Sequence, residues 1–439
     1  MKTYLTKKLN LEEHVKQYPP TNIINFQIDK LKLLLGFLTE IPARSERFDS
    51  NTGMVPLNAE KLKKWIWDYK PYLDYALDTG ILVSDNHYII GKKSKGYRFS
   101  NKYMERAESI PIVNYTLVKK HQKEKEIDPT VKKKYSYLTK WFNDDLHIDH
   151  TGAIEYLEST MTGNENIYRY NYNLCRINKF EDQEFYMSID GTVQRFHSNL
   201  TSLPEKLREF ITYAGEDLVS IDITNSQPYL SIALFNPSFY DNSNSTIPLT
   251  LFTIYSCSLL ELSAQFFPPP MLQEILQETE NQDVKHYVDL VTNGLIYEYL
   301  AEEIKDELGI ECKTRKEIKE VIFTVLFTGN QFIGQHEAGP KRVFKDRFPT
   351  VYKIFSLIKK EDKTNLPKLL QRIESYIILD RVCKKIAEER PYLPIFTIHD
   401  SVITTVGNEG YIEAIMREEL TLCIGYKPSL KIEYWRNHD

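Results

Sequence analysis

Cysteine is scarce in this chain and never paired in sequence. The five thiols, Cys175, Cys257, Cys312, Cys383 and Cys423, stand far apart, are odd in number and form no C-x-x-C. That pattern excludes a cysteine-built zinc module and a disulfide framework, and it suits a reducing compartment. Long apolar runs are missing too. No stretch approaches the roughly eighteen apolar residues that cross a bilayer, and the opening MKTYLTKKLNLEEH lacks the apolar centre of a secretory signal. The expectation is a cytoplasmic protein with no membrane association. An excess of positive charge is also absent, since 56 Lys and Arg stand against 61 Asp and Glu for a net charge of −5. Nucleic-acid binding therefore has no support in global charge and requires a local basic groove. Internal repeats are absent, and only NPSFYDNSNSTIP (236–248) is of low complexity, followed by a second breaker, FFPPPM (266–271).

What is present is a chain of 439 residues, enough for two or three domains, with the composition of a globular protein. Its 29 tyrosines suit surfaces where an apolar ring meets something polar or flat. In the first hundred residues, AEKLKKWIWDYKPYLDYALDTGIL repeats apolar residues at helical spacing and stops at Gly80. ILVSDNHYIIGKKSKGYRFSNKY then reads as two strands around a Gly/Lys/Ser loop. Helices followed by such a hairpin suggest a winged-helix-like module. Its wing would carry Lys92, Lys93, Lys95 and Arg98, residues able to meet phosphates; a solvated lysine turn suits the same residues equally well. The charged KKHQKEKEIDPTVKKK (119–134) reads as a linker or an exposed helix end, and a domain boundary is expected near 120–135. The expected division is 1–130 as the N-terminal, winged-helix-like and DNA-binding module, 131–185 as a linker or reduced helical region, and 186–439 as the main core.

Two aspartates sit where buried strands end. In GEDLVSIDITNSQPYLSIALF (215–235), Asp222 follows the apolar Leu218-Val-Ser-Ile, and Asn225 or Ser226 caps a helix that tolerates Pro228 in its first turn. In TIHDSVITT (397–405), His399 and Asp400 separate two β-branched halves and so form the tip of a tight hairpin. An unpaired carboxylate is expensive to bury. Two at strand ends of one sheet are the oxygen ligands a pair of divalent cations takes for in-line phosphoryl transfer. Either aspartate alone also reads as a turn or cap residue.

KTRKEIKEVIFTVLFTGNQF (313–332) adds a helix with a Thr314-x-x-Glu317 capping box. Arg315, Lys319, Phe323 and Phe327 recur every four residues and share one slowly winding stripe. Its cationic half suits phosphates, and its aromatic half suits a sugar and base. The same pattern also fits an amphipathic helix with solvated basic residues.

A strand-end Asp, then R-x3-K-x3-F-x3-F on a helix, then an HD hairpin resembles the polymerase core of family A. That family holds the DNA polymerase I-like enzymes and the phage-type single-subunit RNA polymerases. The stretch from Asp222 to Gln227 is similar to its motif A, Arg315, Lys319, Phe323 and Phe327 to motif B, and His399-Asp400 to motif C. DGTVQRFHSNLTSLPEKLREF (190–210) resembles the family's segment before motif A, through Gly191, Asn199 to Pro204 and Arg208. Thr192 stands where the family has arginine, with Arg195 as its substitute. LQRIESYIILDRV (370–382) is similar to the helix between motifs B and C, with Gln371 at its start. The resemblance covers roughly 185–439 and no proofreading domain.

The resemblance implies an α+β fold, with a palm of antiparallel sheet and helices, helical fingers, and the winged-helix-like region in front. It implies a nucleotidyltransferase of DNA replication, foremost a DNA-directed DNA polymerase, from a phage, mobile element or other setting. Asp222, Asp400 and the Ile223 carbonyl would hold two Mg²⁺, with Mn²⁺ as an alternative, and Arg315 and Lys319 would neutralise the triphosphate. Gln227, Phe323 and Phe327 would complete the nucleotide site. Arg195, Asn199, Arg208, Gln371 and His399 would meet the primer–template, as would Lys93, Lys95 and Arg98 on the wing. Accessory proteins are implied partners, because 131–185 is short for a thumb. Gln227 is bulky where the family's DNA-making branch has a glutamate that crowds a ribose 2′-hydroxyl, which favours deoxynucleotides. Phe327 in place of tyrosine, and Phe327-Thr328-Gly329 in place of Tyr-Gly, depart from the pattern. A primase or RNA polymerase is the alternative within enzymes. A DNA-binding replication initiator or regulator with an inactive core is the alternative outside them, and the four charged residues Asp222, Asp400, Arg315 and Lys319, all intact, weigh against it.

Overall fold

The computed structural model describes residues 1–439 apart from 45–51, 90–92, 126–127, 161–166, 242–247, 257–268, 279–280, 313 and 437–439. Lys92, Cys257 and parts of both loop-forming stretches, 236–248 and 266–271, lie outside the described residues. Helices and antiparallel strands mix along the chain, compatible with the expected α+β class. Among the described residues no helix is long and apolar enough to cross a membrane. The chain forms two compact units: Met1–Ser188 with His197–Glu216 and Arg436–Asp439, and Ile189–Phe196 with Asp217–Trp435. Residues 131–185 belong to the first unit together with 1–130.

In the first unit, β1 (Lys2–Thr6) and a short helix, Leu11–Gln17, precede the longer helix α1 (Ile28–Arg44). Leu31, Leu34, Leu35 and Leu38 of α1 fall at helical spacing and are buried. Gly36 lies where this helix crosses β1, since a Cβ there would fall 1.7 Å from the Thr3 hydroxyl. After β2 (Val55–Pro56) come α2 (Ala59–Trp65), α3 (Tyr69–Asp78), β3 (Leu82–Ser84) and β4 (Gly96–Phe99). β4 pairs antiparallel with both β3 and β2, so helices precede a hairpin as the sequence suggested. β5 (Ala107–Pro111) pairs with β1. Further on come β6 (Leu146–Ile148), α4 (Ile167–Glu181) and β7 (Ile211–Tyr213), with β6 paired to β7.

In the second unit, β8 (Glu216–Ile223) leads into α5 (Ser226–Ser231). The helices α6 (Ile296–Leu308), α7 (Arg315–Phe327) and α8 (Asn365–Ser375) follow. Then come β9 (Phe396–Ile398), β10 (Ser401–Thr405), α9 (Glu409–Ile424) and β11 (Leu430–Tyr434). β10 pairs antiparallel with β9 on one side and β8 on the other, and β11 pairs with β8. Leu218, Val219 and Ile221 of β8 and Val402 and Ile403 of β10 are fully buried. These consecutive apolar residues give strands covered on both faces, where a half-exposed strand would alternate. α9 packs on β10, α7 packs between α6 and α8, and α5 packs on α8. A rigid apolar sheet and helix layer thus carries the polar residues at its edge.

Candidate active site

The register of the sheet brings the two aspartates together. Asp222 of β8 lies opposite Ser401 of β10, and Ile398 of β9 pairs with the same Ser401. His399 and Asp400 are therefore the two residues of the turn. A two-residue hairpin needs positive φ at its first position, where glycine is the default. Here His399 takes that conformation at φ 54°, a strain that tends to persist at functional sites. The Ser401 hydroxyl donates to Asp222 Oδ1, and the Ser220 hydroxyl donates to Oδ2 at 2.9 Å. Burial raises the Asp222 carboxyl above the ordinary aspartate range; the two hydroxyls oppose the rise, and the nearby charges of Asp400 and Glu433 add to it. A cation bound at Asp222 would relieve that cost.

On α7 the reciprocal cap is formed, with the Thr314 hydroxyl accepting from Glu317 N at 3.3 Å and Glu317 Oε2 from Thr314 N at 3.4 Å. Ile318, Val321, Ile322, Val325 and Leu326 face the core, and Arg315, Lys319, Phe323 and Phe327 wind outward along its flank. Phe323 and Phe327 stack with centroids 5.2 Å apart. The Lys319 ammonium lies 5.6 Å from the Phe323 ring, and the Arg315 guanidinium 5.4 Å from the Tyr297 ring of α6. Arg315 also donates to Asn225 Oδ1 at 3.3 Å. Asn225 does sit at the cap position of α5, yet its side chain makes no cap hydrogen bond there, contrary to expectation, because that oxygen serves Arg315.

These elements surround one open pocket of about 660 Å³. Asp222, Ile223, Gln227, Arg315, Lys319, Phe323, Phe327, Arg195, Gln371, His399 and Asp400 all line it. Arg195 reaches it from a tight turn in which Asp190 accepts from Thr192 N and Val193 N at 2.8 and 2.7 Å. Arg372 of α8 holds that turn by donating to Thr192 O at 2.8 Å.

Sequence reasoning missed Asn225, Tyr297, Lys316, Lys431 and above all Glu374, which line the same pocket. The Glu374 side chain is only 1 % exposed. Arg195 donates to it twice, Nε to Oε1 and Nη2 to Oε2, both at 2.8 Å, and Gln227 Nε2 donates to Oε2 at 3.0 Å. Burial pushes this carboxyl up to about 7, against the pull of Arg195 and its hydrogen bonds, while Asp400 adds to the rise. The one available signal was its position three residues after Gln371, on the same helical face.

Among the described residues no three His, Cys, Asp or Glu side chains converge as a metal cage. Asp222 and Asp400 offer hard oxygen donors from few protein groups, and Ile223 lines the same pocket. That suits Mg²⁺, which keeps several waters and binds through one or two carboxylates together with substrate phosphates. The donor set fits the implied cation.

The other expected residues belong to the first unit. Asn199 is buried, accepts from Tyr186 N at 2.8 Å and donates to Glu184 O at 3.2 Å, so its amide serves its own unit's backbone. Arg208 lines a different pocket, of about 780 Å³, with Arg169, Arg176 and Lys206. Lys93 lies 3.3 Å from Asp85, and Arg98 donates to Phe99 O and Asn101 Oδ1. Lys95 is half-buried beside the same hairpin.

No protein-family model matches the chain, and no curated protein matches it. Among solved structures it is similar to the POL domain of Pol1 from M. smegmatis in complex with DNA primer-template and dNTP. The TM-score is 0.28 and the identity 12%, over 66% of this chain and 56% of that one. The chain thus spans little more than half the length of that structure. So distant a likeness leaves function to be argued from the site itself.

Proposed function

We propose that the chain is a template-directed nucleotidyltransferase that extends a nucleic-acid strand by two-metal phosphoryl transfer, acting as a DNA-directed DNA polymerase. One observation carries the reading: Asp222 and the Asp400 turn share a pocket with a helix whose facing stripe runs Arg315, Lys319, Phe323, Phe327. In this reading the β9-β10-β8-β11 sheet is the palm and α7 belongs to the fingers.

Asp222 and Asp400 would hold the cations, with the Ile223 carbonyl as a further oxygen donor. When bound, Mg²⁺ or Mn²⁺ stabilises charge on the attacking and leaving oxygens of an in-line displacement. Arg315 and Lys319 neutralise the triphosphate; the primer 3′-hydroxyl gives up its proton to water and bonds the α-phosphorus as the bond to the leaving pyrophosphate breaks. Phe323 and Phe327 present a flat apolar face to base and sugar. Gln227 fills the space beside the sugar, which favours deoxynucleotides. Arg195, Gln371 and His399 hold the primer–template, since backbone contacts position a duplex without reading its sequence. Within the first unit, taken by itself, Arg208, Lys93, Lys95 and Arg98 are the residues proposed to meet phosphates.

The test offers purified protein a primed and an unprimed DNA template, with dNTPs and rNTPs separately, in Mg²⁺ or Mn²⁺. The expected result is cation-dependent extension of the primed strand with dNTPs. Extension only of unprimed template with rNTPs would move the assignment to a primase, and no product under any condition would end it.

A further inference from the structure

A side chain excludes a substrate group by its bulk only if it cannot turn aside, and glutamine is flexible. Gln227 is nevertheless fixed. It is 8 % exposed, and its Nε2 donates at 3.0 Å to Glu374 Oε2. Glu374 in turn is clamped by both Arg195 hydrogen bonds, and Arg195 sits on the turn held by Arg372. Among the described residues no side chain of α7 hydrogen-bonds Gln227. Phe327, its residue nearest the end of the stripe, stacks on Phe323 and has no polar side-chain atom to offer. Gln227 Oε1, moreover, is buried without a hydrogen-bond partner. The bond to Glu374, and not the Oε1 end, therefore sets the orientation of the amide.

We propose that Glu374 is a specificity-determining positioning residue: it pins Gln227 as a rigid wall beside the nucleotide sugar, so that sugar discrimination depends on α8 rather than on α7. The proposal rests on the reading of this pocket as a nucleoside triphosphate site. Glu374 touches no reacting atom. Its effect runs through the Gln227 amide, and Arg195 acts as the counter-charge that makes a buried carboxylate tolerable there.

The experiment is primer extension with dNTPs and rNTPs on one primed template, comparing the ratio of kcat/KM for the two sugars. A ratio cancels any change in primer binding. In Glu374→Ala the preference for deoxynucleotides falls about tenfold or more, the scale of a single lost steric or polar contact; Glu374→Gln, which still accepts from Gln227, loses less. Gln227→Ala shows the same fall, and the Gln227→Ala/Glu374→Ala double variant falls no further, as expected of residues acting as one unit. Because Glu374→Ala leaves Arg195 without a partner, an Arg195→Leu/Glu374→Leu variant provides a stable background, apolar pairs often replacing buried ion pairs without loss. It should recover the melting temperature and not the discrimination. Unchanged discrimination in folded Glu374→Ala, or discrimination that returns with the melting temperature, overturns the proposal and leaves the polymerase reading intact. A wild-type chain that extends with neither sugar removes that reading and this proposal with it.

Discussion

Replacing Glu374 by glutamine should flatten the acid side of the protein's stability profile. The carboxyl is pushed up to about 7 in the folded chain from an ordinary value of 4.5, with burial the largest cause. A raised folded value means the native state holds the proton more tightly, so stability is fully present below about pH 4.5 and is lost as pH rises through about 7. The difference of 2.5 corresponds to about 3 kcal/mol over the whole window at 1.36 kcal/mol per pH unit, of which about 2 kcal/mol falls between about pH 5 and pH 7.5. For a unit of this size that is a shift of roughly 4–8 °C in melting temperature. Urea or thermal melts of wild type and Glu374→Gln at those two pH values give the difference directly. Other groups, Asp222 among them, contribute the same slope to both proteins and cancel in the comparison. Wild type should lose about 2 kcal/mol more than the variant on going to the higher pH. Parallel profiles, agreeing within about 0.5 kcal/mol, would refute the placement of an ionisable, desolvated carboxyl under the pocket.

Three further outcomes follow from named contacts. Thr314→Ala removes half of the reciprocal cap of α7 and should cost about 1 kcal/mol in a melt; because Arg315 is the next residue, it should raise the KM for nucleotide more than it lowers kcat. Asn225→Val forces a β-branched residue into φ 56° and removes the Arg315 partner, whereas Asn225→Gly removes only the partner, so melting temperatures should fall in the order wild type, glycine, valine. Lys359 is 2 % exposed, donates to Val325 O and Thr328 O at the C-terminal end of α7, and is pushed down to about 7 by burial and by Lys341. The unfolded chain then binds more protons between about pH 7 and pH 10.5, so wild-type stability should rise with pH across that window, and Lys359→Met should reduce the rise in urea melts.

The strand-end aspartates and the α7 stripe were legible because their signals are local. Apolar β-branched residues on either side of His399-Asp400 imply a turn, and a four-residue repeat implies a shared helical face. The core side of α7, from Ile318 to Leu326, follows from the same period. Glu374 was not legible, because a glutamate on an amphipathic helix ordinarily reads as solvated. Its partners Arg195 and Gln227, both far away in sequence, offset part of the cost of its burial. Asn225 shows the converse limit: its cap position is a property of the local chain, but which group its side-chain oxygen serves is decided by α7. Asn199 was read through resemblance as a nucleic-acid contact, and its amide is occupied by the backbone of Tyr186 and Glu184, a use that no motif records.

The central claim is that Asp222 and Asp400 act together at one phosphoryl-transfer site. Single-nucleotide extension of a primed DNA template in Mg²⁺ tests it most directly, with Asp222→Asn and Asp400→Asn beside the wild type and folding checked by their melts. Each substitution keeps the side-chain volume and removes a charge worth several kcal/mol of transition-state stabilisation, so each should lower the rate by about a thousandfold or more while the protein stays folded. Extension at wild-type rates by both variants would contradict the account.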